Sequence, residues 1–308
     1  MNIPVIDFSP YNLGENSVLD EHLVDLGRQF KSSFTEIGFV YLKNTGITQE
    51  EVEQVMDISK TFFLQPVEMK FSFRRESFAN CRNHGWVSSE AESLNPHRPA
   101  DLKEAFNAGS FRNDINWPSI AFRDSQLSFF QRCQELTLRV LRVMAISLGL
   151  EPEFFLHAHC CIGSEKNSTT LRSLYYPPVK SELVKEDQVR CGEHSDFGSI
   201  TLVFQCQVGG LQVLSPSGAY IIAPGIPGTV LINIADLMQR WTSDRFISAI
   251  HRVLLPPAGD SSTRQSLAFF VQPDDDYLIT CCDGSNKYPA VKSGDYVNYR
   301  LNNLLEKK

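Results

Sequence analysis

The chain has no Cys-x-x-Cys pair, no excess of basic residues and no apolar run long enough to cross a bilayer. Each absence removes a class of function. Zinc fingers and ribbons need cysteines two residues apart. The eight cysteines (Cys81, Cys133, Cys160, Cys161, Cys191, Cys206, Cys281 and Cys282) include two adjacent pairs but no such spacing. Nucleic acids and anionic membranes reward a basic face, whereas 29 Lys and Arg against 36 Asp and Glu give a net charge of −7. A spanning helix takes about 18 or more consecutive apolar residues, and no such stretch occurs. The opening Met1-Asn-Ile-Pro-Val-Ile-Asp7 lacks the basic and apolar regions of a secretory signal. The expectation is a cytoplasmic protein with reduced thiols, and with neither nucleic acid nor membrane as partner.

What is present is ordinary globular composition, 42% hydrophobic and 21% charged. With no internal repeat, low-complexity tract or linker, the 308 residues read as a single domain, 1–308, and as a monomer. The chain is helical first and β-rich second. Leu19, Leu23, Leu26 and Phe30 form a helical stripe within 18–34, a second helix is expected over 50–63, and a third over 128–150. Short strands punctuated by Gly and Pro follow: 199–204, 211–214, 219–222, 229–234, 249–255 and 265–271. This pattern predicts a mainly β fold with a helical cover and a jelly-roll core. The helix-rich part runs to about 150 and the roll occupies about 170–275.

Against that background one constellation stands out. His194-Ser195-Asp196 is followed by His251 and then by Arg264-Gln265-Ser266. Two imidazoles and one carboxylate are the ligand set of a non-haem ferrous centre, with three coordination positions left open. On an extended strand, i and i+2 share a face, so His194 and Asp196 are expected to point together. Arg264 and Ser266 are spaced likewise, a guanidinium and a hydroxyl suited to gripping a carboxylate.

These motifs resemble the iron(II)- and 2-oxoglutarate-dependent dioxygenases of the isopenicillin N synthase-like family. The resemblance rests on HSDFGSITLVFQ, GGLQV, PGTVLINIAD, HRVLLPP and RQSLAFFVQP in the second half. In the first half it rests on IPVIDFS, GFVYLKNTGI, FFLQPVEMK and DLKEAFNAG, with LRSLYYPP between. It implies a double-stranded β-helix (cupin-like) core and Fe(2+) held by His194, Asp196 and His251. It also implies 2-oxoglutarate bound through Arg264, Ser266 and Tyr175, with O2 as the other co-substrate. Leu174 stands where many members carry Asn, and Asn44-Thr-Gly-Ile47 replaces the frequent Asn-His-Gly-Ile.

The implied reaction is oxidation of a small-molecule metabolite, most commonly hydroxylation, with release of succinate and CO2. An iron oxidase or cyclase of the isopenicillin N synthase type, which uses no 2-oxoglutarate, keeps the same Arg-x-Ser pair and stays open, as does a cupin-like binding protein. Candidate substrate contacts are Asn83, His84, Phe106, Leu174, Gln239, Trp241 and Phe270. Other tempting residues read as structural: His157, His159 and Cys160 lack a second ligand pair, Asp274-Asp-Asp276 reads as a solvated turn, and Cys191 as a small core residue. Asn233 is expected to support the metal ligands from behind.

Overall fold

A computed structural model describes residues 2–75, 83–109, 111, 115–179 and 181–305; Cys81 lies outside them. The strands are β1 (Val5–Asp7), β2 (Phe39–Lys43), β3 (Gly85–Val87), β4 (Glu104–Ala108), β5 (Thr170–Tyr176), β6 (Cys191–His194) and β7 (Ile200–Gln205). After them come β8 (Leu211–Leu214), β9 (Tyr220–Ile222), β10 (Thr229–Ile234), β11 (His251–Val253), β12 (Arg264–Val271), β13 (Leu278–Ile279) and β14 (Val291–Lys292). The helices are α1 (Asp20–Glu36), α2 (Gln49–Phe63), α3 (Val67–Lys70), α4 (Ile120–Ser147), α5 (Asp236–Trp241) and α6 (Ser293–Leu305).

Two sheets make the roll. The larger runs β1-β2-β10-β7-β12-β5-β4-β3 and the smaller β6-β11-β8-β9. Because side chains alternate across a strand, each strand of the larger sheet serves two cores. On β12, Leu267, Phe269 and Val271 pack with α1, α2 and α4, where Phe30, Phe62 and Phe130 are buried. Arg264, Ser266, Ala268 and Phe270 take the opposite face. That face looks into the roll, where Leu174, Tyr176 and Leu231 meet Cys191, Val213 and Val253 of the smaller sheet.

The expected jelly-roll architecture with its helical cover is present, but the halves are not separate. Four strands from the first half (β1 to β4) belong to the larger sheet, so position 150 divides no structural unit. These strands are three to five residues long, too short for alternation to reveal.

Local chemistry explains the starts of α2 and α4. Thr48 and Glu51 close a capping box on α2, each side chain accepting from the other's backbone N–H. Helix α4 begins eight residues before the sequence stripe, capped by Ser119 accepting from Phe122 N–H. Its first residue, Ile120, is 79% exposed, so no apolar periodicity announces that turn.

At the end of α1 the chain turns into β2 through Gly38, whose φ is +72°. A Cβ there would sit 2.0 Å from the carbonyl oxygen of Ile247. Gly38→Ala should therefore cost more than the about 1–2 kcal/mol of a left-handed alanine alone, read as a lowered urea midpoint. An unchanged midpoint would mean that the Ile247 segment yields freely.

Candidate metal centre and its cavity

His194 ends β6 and His251 opens β11, and the two are paired across the smaller sheet. Their rings lie 4.2 Å apart between centroids. Each imidazole donates from Nδ1 to a carbonyl two residues back, His194 to Gly192 at 2.8 Å and His251 to Ala249 at 3.2 Å. That fixes the tautomer and leaves both Nε2 lone pairs free. Asp196 Oδ1 lies 3.8 Å from each Nε2, and the ligand atoms of all three residues fall within 4.8 Å of one another. This triad fits a small cation bound by two neutral imidazoles and one carboxylate, with open positions facing the cavity.

Asp196 is not on the strand with His194, as alternation predicts; it lies in the loop beyond β6. Helix α5 holds that loop. The backbone N–H groups of Asp236, Leu237 and Met238 donate to the carbonyls of Asp196, Phe197 and Gly198, so helix-terminal donors that would otherwise be unsatisfied are used. Asp196 Oδ2 accepts from Thr201 Oγ1 at 2.6 Å and Asn233 Nδ2 at 2.8 Å, turning Oδ1 toward the histidines. Asn233 thus takes the supporting position expected of it. Thr201 was not foreseen, although its alternation with Val203 on β7 points it inward.

The electrostatics suit metal binding. Burial, reinforced by the neighbouring His194, lowers the His251 pKa to about 4, so its ring is a neutral base at pH 7. Burial would raise the Asp196 pKa, but His251, His194 and the two hydrogen bonds outweigh it and keep the carboxylate ionised.

On the inward face of β12, Arg264 is 1% exposed. Its Nη2 donates to Gln205 Oε1 at 2.8 Å and its Nη1 to Ser266 Oγ at 3.3 Å. Nε has no partner, and no carboxylate among the described residues is within ion-pair distance. The guanidinium lies 4.8 Å from the ring centre of Tyr176, and Arg190 lies 5.9 Å from the same ring. Burial and the nearby Arg264 lower the Arg190 pKa. A buried, unpaired cation is costly, so this corner fits an incoming carboxylate.

Tyr175 does not reach that corner. It pairs with Gln265 while Tyr176 pairs with Arg264, and adjacent strand residues face opposite ways. Tyr175 stacks on Phe63 at 5.6 Å in the helix-side core; Tyr176 is the tyrosine on the carboxylate side.

A cavity of about 630 Å³ opens beside the triad, lined by His194, Asp196, Phe197, Arg172, Asn83 and Phe270 among others. Of the expected substrate contacts, Asn83 and Phe270 are on its wall. Leu174 faces the roll beside Ser266 but lies off that wall. His84 and Phe106 belong to the helix side, packed with Trp117 and Phe122. Gln239 is spent on Asp244 and the Ser248 N–H, and Trp241 is buried against Phe154 and Phe155.

His159 is a satisfied core residue between Phe155 O and Ser199 Oγ. Asp274 is no solvated turn: it accepts from Cys161 N–H and Asn167 Nδ2. Sequence reasoning missed Arg172 and Glu92. Counting back by twos from Tyr176 through Leu174 reaches Arg172, so its face was readable.

The fold and the triad define a class, the mononuclear non-haem metalloenzymes built on a jelly roll. Comparison with known proteins makes it specific. Residues 167–273 match the 2OG-Fe(II) oxygenase superfamily model. Residues 3–123 match the model described as non-haem dioxygenase in morphine synthesis N-terminal. The 2-oxoglutarate-Fe(II) type oxidoreductase ppzD of Metarhizium majus is 30% identical, over 96% of this chain and 90% of that protein. The 2-oxoglutarate-dependent dioxygenase htyE of Aspergillus rugulosus is 32% identical, over 85% of this chain and 84% of that one. A full-length Neurospora crassa protein, solved in complex with alpha-KG and thymine, superposes with a TM-score of 0.85 at 32% identity, covering 98% of this chain and 96% of that one.

The chain belongs to the 2OG-Fe(II) oxygenase superfamily. It is a 2-oxoglutarate-dependent dioxygenase whose cofactor is Fe(2+) and whose co-substrates are 2-oxoglutarate and O2. No helix among the described residues is long and apolar enough to cross a membrane.

Removing the support behind Asp196 tests the metal geometry without touching a ligand. Asn233→Ala or Thr201→Val should weaken Fe(2+) binding about 10- to 100-fold, measured by titration of the apoprotein. Wild-type affinity in both variants would show that Asp196 needs neither bond.

Proposed function

We propose that His194, Asp196 and His251 ligate the iron and that Arg264, Ser266 and Tyr176 hold the distal carboxylate of 2-oxoglutarate. The substrate, on this reading, is a small molecule hydroxylated in the cavity beside the triad. The observation that carries it is the fully buried Arg264, which has no carboxylate partner among the described residues and stands on the β12 face that looks into the roll, across from the smaller sheet that carries His194 and His251. Bound Fe(2+) would supply the redox chemistry by which 2-oxoglutarate and O2 give succinate and CO2, the four electrons that O2 takes up coming two from 2-oxoglutarate and two from the substrate. One oxygen atom ends in succinate and the other in the new hydroxyl, so a C–H bond becomes C–OH.

The chain's own residues orient and exclude. His194 and His251, locked through Nδ1, present fixed lone pairs, and Asp196 is turned by Thr201 and Asn233. Phe197 and Phe270 give the cavity apolar walls. Val297 and Leu301 of α6 help to close it from the C-terminal side. Together they keep water from the reaction. A monomeric, cytoplasmic enzyme completes the proposal, in keeping with the acidic net charge and with the described cysteines, all of which are free thiols.

The oxidase that uses no 2-oxoglutarate makes a different forecast. Arg264→Lys retains charge but loses the planar fork, so affinity for 2-oxoglutarate should fall about 10- to 100-fold. If substrate affinity falls instead, the corner serves the substrate and the oxidase reading wins. His194→Ala, Asp196→Ala and His251→Ala should each abolish succinate formation.

The two tyrosines give a sharper comparison. Tyr176→Phe should raise the KM for 2-oxoglutarate about tenfold with iron content unchanged. Tyr175→Phe should leave that KM alone and affect stability only. Steady-state kinetics with iron measured in each variant decides, and the reverse pattern would return the role to Tyr175.

A further inference from the structure

The cavity wall carries hydrogen-bond donors that have nothing in the described protein to donate to. Arg172 follows Tyr176 and Leu174 along the inward face of β5, four residues and about 13 Å from the carboxylate corner. Its Nη2 donates to Glu92 Oε2, while Nη1 has no partner among the described residues. Glu92 is saturated. Arg75 Nη1 donates to its other oxygen at 2.9 Å, and Lys103 Nζ stands 3.9 Å away. Burial would raise the Glu92 pKa, but Arg172, Lys103 and Arg75 together hold it well below the usual carboxylate range. Glu92 therefore stays ionised and acts as an anchor for the guanidinium.

Asn83 adds a second donor. Its Oδ1 accepts from Asn107 Nδ2 at 2.9 Å, which leaves its NH2 group without a partner among the described residues on the same wall. Asn107 is paired in register with Arg172, so the two donors stand side by side. Around them Arg75, Lys103 and Arg172 face Glu92 and Asp101, a surplus of one positive charge. Phe270, on the inward face of β12, supplies an apolar surface in the same cavity.

We propose that Arg172 and Asn83 read the substrate, which presents to them a carbonyl or carboxylate oxygen. An apolar part of the substrate then lies on Phe270, with the C–H bond to be oxidised beside His194 and Asp196. This inference rests on the dioxygenase reading of the same cavity and narrows it. Substrates of this class bear an oxygen acceptor, which Arg172 and Asn83 favour at that position over an N–H donor or a cation.

The test uses the iron-loaded full chain with 2-oxoglutarate and follows succinate. Uracil and thymine serve as carbonyl probes, benzoate as the carboxylate probe, and toluene and benzylamine as matched rings without an acceptor oxygen. At least one carbonyl or carboxylate probe should raise succinate above the level without probe, and toluene and benzylamine should not. Whether the ring carbonyls or benzoate succeed tells neutral from anionic acceptor.

For the stimulating probe, Arg172→Gln should raise KM about tenfold or more. Asn83→Asp, which places an acceptor where a donor stood, should do the same, with kcat moving far less than KM in each. Because Asn83 lies on the cavity wall, that variant still decides if Arg172→Gln folds poorly. Stimulation by benzylamine, silence of every acceptor probe, or an unchanged KM in Asn83→Asp would overturn the proposal. Loss of 2-oxoglutarate turnover altogether would instead strike the dioxygenase reading, so the two failures are distinguishable.

Discussion

The carboxylate of Asp196 is held from two directions, and the metal centre depends on that grip. Its backbone carbonyl is tied to the first turn of α5, and its Oδ2 to Thr201 on β7 and Asn233 on β10. A carboxylate buried this deeply is costly unless its oxygens are bonded. With Oδ2 spent on two donors, Oδ1 is the oxygen left for a cation. The two histidines are prepared in the same way, each with one ring nitrogen given to a backbone carbonyl. Metal affinity is therefore built into the packing of the larger sheet rather than into the triad alone. Gly198, within the loop, is part of the same arrangement: a Cβ there would come within 2.2 Å of the Val271 carbonyl oxygen.

The pleat of the larger sheet separates stability from chemistry. One face of β5, β7, β10 and β12 is aromatic and aliphatic and is covered by the long helices. The other carries Arg172, Tyr176, Thr201, Asn233, Arg264 and Ser266. Substitutions on the first face act through packing, as in the cluster where Phe62 meets Phe106 and Phe122 edge to face. Substitutions on the second change the polar groups that face the roll interior. Tyr175 and Tyr176, adjacent in sequence, fall on opposite sides of this division.

Charge is distributed unevenly inside the roll. Arg264 and Arg190 flank Tyr176, Arg264 with no carboxylate within ion-pair distance among the described residues, and Arg172 with its anchored Glu92 lines the cavity beside His194 and Asp196. The C-terminal helix contributes to the enclosure. Arg300 lies over the ring of Phe197, 4.3 Å from its centre, and pairs with Asp236, linking α6 to the loop that carries Asp196.

Much of this was legible in the chain. The triad, the Arg264–Ser266 pair, the apolar runs of β10 and β12 and the three long helices declare themselves because each rests on local spacing or composition. The resemblance to a known family supplied the order of the ligands along the roll. Other features were set only by tertiary structure. Helix α5 is six residues long with no side-chain cap, and α6 follows a short strand pair, so neither breaks the sequence pattern strongly. His84, Phe106, Gln239 and Trp241 have the chemistry of contact residues yet serve the core, because sheet register and helix docking decide which way a side chain faces. The chain by itself determined which groups could bind metal and carboxylate. The pairing of β5 with β12 and β4, a contact between distant segments, decided that Tyr176 lies against Arg264 and that Arg172 lines the cavity beside Asn83.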